Sequence, residues 1–160
     1  MKPKQTGASA NRRAKQPACR GTVIACESGK VWLTRMRSRL LELLREKPDC
    51  PLGAYALMRK LEASLGRHVT ATSVYRSLDF LMHHNLVVRV ESRNAYLPCP
   101  KPGRSFRGAF LVYEGCDTAT CVEDASLVGL LAGKTARLGF SVGHRVIELH
   151  GICARCAANR

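Results

Sequence analysis

The feature that most constrains this chain is a change of hydrophobic period near residue 86. Before it, apolar residues recur at helical spacing. After it, they alternate at strand spacing. The helical pattern begins at Val31, with Leu33, Met36, Leu40, Leu43 and Leu44 on one face. Thr34 is a suitable N-cap, and Pro48 lies just past the end. Ala54, Leu57, Met58, Leu61 and Leu65 predict a second helix, stopped by Gly66. A third is predicted over 71–84, capped by Thr70, with Val74, Leu78 and Leu81 as its stripe. Two β-prone runs, 86–91 and 95–99, then flank the polar turn Ser92-Arg93-Asn94. Three helices followed by a hairpin is the order of a winged-helix DNA-binding domain.

The third helix has two unlike faces. At about 100° per residue, Thr72, Arg76, Asp79 and His83 point away from the apolar stripe, and Tyr75 sits on its flank. A solvated helix would look similar. The charge of its surroundings tips the reading toward a recognition helix. The chain has 160 residues and a net charge of +14, and residues 1–107 hold all of the excess. Residues 108–160 carry five basic and five acidic residues and are neutral overall. A polyanionic partner is therefore expected for the first two-thirds, with a different task for the rest.

Residues 1–30 carry seven basic residues and one acidic. They show no sustained period and read as a disordered basic arm attracted to phosphates. The winged helix is expected over 31–100, and the basic segment KPGRSFRG at 101–108 reads as a hinge. A second, α/β unit is expected over 109–160: a strand at 109–113, its hairpin partner at 118–122, a helix ending at Gly139, and a long strand over 140–150. A unit this small is marginal alone and calls for metal, dimerisation or both. The fold class is thus α+β. No apolar run approaches the roughly 20 residues of a membrane span, and the basic, polar N-terminus lacks the apolar core of a secretory signal. A cytoplasmic protein is expected.

Eight cysteines stand at positions 19, 26, 50, 99, 116, 121, 153 and 156. In a reducing compartment, metal binding or redox sensing outranks disulfides. Cys153-Ala-Arg-Cys156 is a CxxC motif following a predicted strand, and Cys116 and Cys121 form a second close pair. Two such pairs can satisfy tetrahedral Zn²⁺, which favours thiolates. A thioredoxin-type redox pair would place the motif at a helix N-terminus near the start of a βαβ unit. His83, His84, His144 and His150 are further possible ligands, although a lone histidine is more often a surface or satisfied residue, and Cys19, Cys26 and Cys50 have no ligand-spaced partners. There is no phosphate-cradling glycine loop, no HExxH and no nucleophile–base frame, so neither an enzyme nor a small-molecule substrate is expected.

The stretch TSVYRSLDFL (72–81), followed by VESRNAYLPC (90–99) and VIELHGICARC (146–156), resembles the ferric uptake regulator superfamily, and within it the zinc uptake regulator branch. Leu33, Thr34 and Arg37 also fit the family pattern, and the resemblance spans roughly residues 31–156. It implies a homodimeric, zinc-dependent repressor acting on a palindromic double-stranded DNA operator. It implies DNA contacts from Thr72, Ser73, Tyr75 and Arg76 of the recognition helix, with Arg76 as the base reader. Phosphate contacts would come from Arg93 in the wing and from Arg35, Arg37 or Arg39.

The metal positions depart from the family pattern. The family's first CxxC reads Tyr113 and Cys116 here, while Cys153 and Cys156 are intact. At the family's regulatory positions stand Val88, Cys99, no histidine within 100–108, and Cys121. Two assignments follow. In the preferred one, Cys121 completes a structural zinc site with Cys116, Cys153 and Cys156, and Cys99 is a regulatory remnant. In the other, Cys121 stays beside Cys99 and three thiolates remain. The resemblance also leaves room for a regulator with structural zinc only, responding to oxidants through its thiols or acting constitutively.

Overall fold

The computed structural model describes residues 22–26, 29–142 and 146–159. It opens on an antiparallel ribbon, β1 (Thr22–Cys26) and β2 (Gly29–Leu33), with Thr22 opposite Leu33. This corrects two expectations: a disordered arm throughout 1–30, and a helix starting at Val31. Both strands are rich in residues that favour pleated pairing. In β2 the period is two, with Val31 and Leu33 buried and Trp32 exposed between them. The remainder of the expected arm, Cys19 included, lies outside the described residues.

Helix α1 (Arg35–Arg45) starts where Thr34 Oγ1 accepts from the Arg37 N–H, and it buries Leu40, Leu41, Leu43 and Leu44. Helix α2 (Ala54–Leu65) buries Ala54, Leu57 and Leu61. It ends at Gly66, whose φ of +64° is the left-handed conformation that glycine adopts without cost. Helix α3 (Ala71–His83) buries Val74, Ser77, Leu78 and Leu81. The three helices share one core, closed below by Leu86, Val87 and Tyr96. The wing is a three-stranded sheet in the order β3 (Leu52–Gly53), β5 (Ala95–Pro98), β4 (Val87–Val90). A single 3-10 turn, Glu91–Arg93, joins β4 to β5.

The second unit contains β6 (Gly108–Tyr113), β7 (Thr118–Glu123), α4 (Ala125–Arg137), β8 (Glu148–Gly151) and the short α5 (Ala154–Ala158). Its sheet runs β7-β6-β8, with β8 parallel to β6. The long strand expected over 140–150 is corrected to these four residues. Phe140–Val142 and Val146–Ile147 are not in a strand, and 143–145 lie outside the described residues. The pairing of β8 with β6 begins at Phe110 opposite Glu148 and stops at Tyr113 opposite Gly151.

The two units share a second apolar core. Val90 and Leu97 of the wing pack with Phe110, Val112 and Ala119 of the following sheet. The Ala119 N–H donates to the Asp49 carbonyl at 2.8 Å, and Glu148 accepts from the N–H groups of Glu91 and Ser92 at 2.6 and 3.1 Å. The wing is therefore bonded to the α/β unit as well as to its own helices.

Candidate nucleic-acid interface and metal centre

The exposed face of α3 is built by its cap. Thr70 Oγ1 accepts from the Ser73 N–H at 3.3 Å and lies 2.8 Å from the Ser73 hydroxyl. That bond starts the helix and orients Ser73. Thr72, Ser73, Arg76 and Asp79 are exposed, and Tyr75 is half-buried against the core. Among the described residues, no acidic group pairs with Arg76. Its five donors are free for a planar acceptor pair.

The other expected cations are placed less uniformly. The Arg37 guanidinium lies 3.6 Å from the centre of the Phe80 ring, a cation–π contact that folds it back onto α3. Arg39 pairs with Glu42 at 3.1 Å and Glu46 at 3.6 Å. Arg35 is exposed. Arg93 differs from its expected phosphate role. Its Nη1 donates to Asp117 Oδ1 at 3.0 Å and its Nη2 to the Tyr113 carbonyl at 2.7 Å. It is half-buried between wing and α/β unit, and these two bonds tie the wing to that unit.

The cysteines separate into two groups. Cys116, Cys153 and Cys156 bring their sulfur atoms within 4.8 Å of one another, with 3.9 Å between Cys116 and Cys153. Thiolates at about 2.3 Å from a zinc ion in tetrahedral array lie about 3.8 Å apart, so these three residues fit zinc. Cys121 is not with them, which corrects the preferred four-cysteine assignment. Strand register is the reason. Cys121 pairs opposite Phe110 in β7, three residues beyond Thr118 where the strand begins. At about 3.3 Å per residue it is carried roughly 10 Å from the turn that holds Cys116.

Local geometry supports the thiolate cluster. Cys153 caps α5 and accepts from the Cys156 N–H at 3.4 Å, which pulls its thiol below the ordinary value. The deprotonated form is the one that ligates metal. The Thr118 hydroxyl lies 3.1 Å from Cys116 Sγ. A Cβ on Gly115 would stand 3.1 Å from the Cys156 Cβ and 3.2 Å from its Sγ, so glycine there lets Cys156 close on the turn. Gly115, Thr118 and Asp117 were given no functional role in the sequence reading. The adjacent Gly-Cys pair was the available signal for a close approach.

Cys99 and Cys121 instead line an interdomain cleft of about 390 Å³, with Arg45, Asp49 and Thr120. Burial pushes both thiols up, Cys121 to about 12; Glu123 raises both, and Cys99 and Asp49 add to the rise at Cys121. Cys99 Sγ lies 3.3 Å from the Lys101 carbonyl, where a protonated thiol donates. Lys101 itself pairs with Glu123 and so ties the hinge to β7.

No family model matches the chain. The chain is 32% identical over 134 residues to the zinc uptake regulation protein of Escherichia coli (strain K12), a match covering 82% of this chain and 76% of that protein. The chain belongs to the zinc uptake regulator family. Its superfamily, that of the ferric uptake regulators, consists of DNA-binding transcription factors and not of enzymes. Among solved structures, it resembles holo XcZur at 33% identity and a TM-score of 0.72, covering 84% of this chain and 92% of that one. It resembles a zinc uptake regulator complexed with zinc and DNA at 30% identity and a TM-score of 0.74, covering 81% and 85%. A ferric uptake regulator from Francisella tularensis shares the fold at 17% identity and a TM-score of 0.54, over 79% of this chain and 95% of that one. Among the described residues of this family member, no helix is long and apolar enough to cross a membrane.

Proposed function

We propose that this chain is a zinc-responsive repressor of metal-uptake genes, binding a palindromic operator in the cytoplasm as a homodimer. The observation that carries the reading is the exposed face of α3. It offers Thr72, Ser73 and an uncommitted Arg76 on a helix whose opposite face is anchored in the core. An arginine fork so presented can pair bidentately with guanine O6 and N7, and Tyr75 on its flank can contact a base edge or the sugar. Arg35 and Arg37 stand on the neighbouring helix as phosphate donors. The solved relative complexed with zinc and DNA supports the same use of the fold here.

Dimerisation is supported by apolar surface the chain does not cover. Leu130, Leu138, Phe140, Leu149 and Ile152 are all exposed in the α/β unit. A second copy is the partner the family reading supplies. Zinc is supported by the three convergent thiols. The oxidant-responsive alternative gains nothing from Cys99 and Cys121, because a thiol held protonated is a poor nucleophile.

The test is the Arg76→Ala variant, measured against a duplex selected by the wild type from a random pool and against a scrambled duplex. Affinity for the selected duplex should fall by about 1–3 kcal/mol, with discrimination relaxed at one base step. Wild-type affinity should also fall steeply with salt, given the net charge of +14. Undiminished, equally selective binding by the variant would remove α3 as the reading element.

A further inference from the structure

Trp32 is the chain's single tryptophan, and it is 68% exposed. Its place on β2 explains why. Val31 and Leu33 on either side of it are 7% and 1% exposed, so the alternation of the strand turns Trp32 outward. The pairing of β2 with β1, in register from Thr22 opposite Leu33 to Cys26 opposite Gly29, fixes the backbone beneath it. The indole is therefore held in solvent by the fold.

The surroundings of that ring are cationic. Lys30 lies on the same face of β2, two residues before Trp32, and is exposed, as is Arg35 at the start of α1. Among the described residues, no acidic group pairs with either. The first 41 residues carry ten basic residues and one acidic, Glu27. Six of the ten fall in residues 1–21, which lie outside the described residues and join the ribbon at Thr22. Thr22 stands opposite Leu33, one residue before the Thr34 cap, so this basic stretch meets the fold beside the start of α1. An exposed aromatic ring among uncompensated cations suits a nucleic acid, whose sugars and bases pack on the ring and whose phosphates take the charge. A second copy of the same surface would be repelled.

We propose that the β1–β2 ribbon is a second DNA contact, in which Trp32 packs against the sugars and base edges of the minor groove flanking the step read by α3. Helix α1 connects the two elements: it follows the ribbon directly, and its Arg37 lies on the Phe80 ring of α3. When a recognition helix enters the major groove, the helix before it crosses the sugar-phosphate backbone. An element leading into the start of that first helix reaches the groove on the other side of the same backbone. Apolar side chains backed by Lys and Arg are suited to the minor groove, where they pack on sugars and wedge at base steps. Lys30 and Arg35 serve the bordering phosphates, and the six cations upstream add attraction without sequence preference. The inference rests on the DNA-binding reading above and extends it from the helix face to a second element.

The experiment uses the full chain and the duplex selected by the wild type, whole and trimmed by about half a helical turn at each end. With one tryptophan in the chain, tryptophan emission reports on Trp32 alone. Binding of the whole duplex should change that emission and shield it from quenching by acrylamide. Trp32→Ala should bind the whole duplex about tenfold more weakly while melting at the wild-type temperature, since the indole it removes is exposed. Trp32→Phe should recover most of the loss. On the trimmed duplex the wild type and Trp32→Ala should bind alike. An indole equally open to acrylamide in the free protein and on the whole duplex overturns the proposal, and it leaves α3 standing where Arg76→Ala still loses selectivity. An equal loss by Trp32→Ala on both duplexes also overturns it. So does shielding that grows with protein concentration in the absence of DNA, which would assign the surface to a second copy. Failure to select any duplex overturns this proposal and the DNA-binding reading together.

Discussion

Helices α3 and α4 are each 13 residues long, and they use their apolar residues in opposite ways. Helix α3 buries Val74, Ser77, Leu78 and Leu81 in a core built by its own unit. Helix α4 buries Val128 alone, while Leu130 and the adjoining Leu138 are 57% and 83% exposed. The first region is complete within one chain, so its outward face is free for a ligand. The second leaves apolar surface exposed and three thiols converging, which the proposed dimer and zinc would cover and join. The net charge divides at the same place, basic where the fold is self-sufficient and neutral where it is not. In the proposed dimer, charge that would repel a like subunit is thereby kept out of the pairing region.

The contrast can be broken by substitution. Leu78→Ala should cost about 2–5 kcal/mol of stability, since a fully buried leucine leaves a cavity its neighbours cannot fill. Chemical denaturation measures it, and a loss below 1 kcal/mol would mean the helical core is looser than described. Leu130→Asp should change the stability of the isolated subunit by no more than about 0.5 kcal/mol. It should still raise the dimer dissociation constant about tenfold, near 1.4 kcal/mol. Sedimentation at several concentrations separates the two effects, and an unchanged dimer would move the interface off α4.

The smallest effect sharpens the comparison at the join. Burial pushes the Glu148 carboxyl up, but the Ser92 hydroxyl and the N–H groups of Glu91 and Ser92, with His150 nearby, outweigh it. The result lies below the ordinary 4.5. The stabilisation is therefore complete above about pH 4.5 and is lost as pH falls through the lower folded value. Glu148→Gln should cost about 1 kcal/mol at neutral pH and flatten the acid limb of a stability–pH curve. An acid limb identical to wild type would show that the wing is held by its apolar contacts alone.

Much of the winged helix was legible from local signals. Thr34 and Thr70 mark the starts of α1 and α3 because a side-chain oxygen there accepts an otherwise orphaned N–H. Gly66 marks the end of α2 because only its φ is free. The hairpin at 87–98 followed from β-branched runs around a polar turn. The ribbon over 22–33 was missed because TVIAC was read as part of the basic arm and VWL as the start of a helix. The strand over 140–150 was overdrawn because β-propensity does not reveal where pairing with β6 begins.

What the sequence alone determined is what depends on neighbours a few residues apart: the helix caps, the amphipathic faces, the outward Arg76 and the CxxC at 153–156. Only the tertiary structure decided which distant groups meet. It separated Cys121 from Cys116, although they are five residues apart, because β7 register carries one away from the turn that holds the other. It joined Arg93 to Asp117 and Glu148 to Ser92, pairs for which spacing gave no warning. Local propensity acts over one or two turns of chain, whereas ligand sets and ion pairs are chosen by how sheets register and units pack.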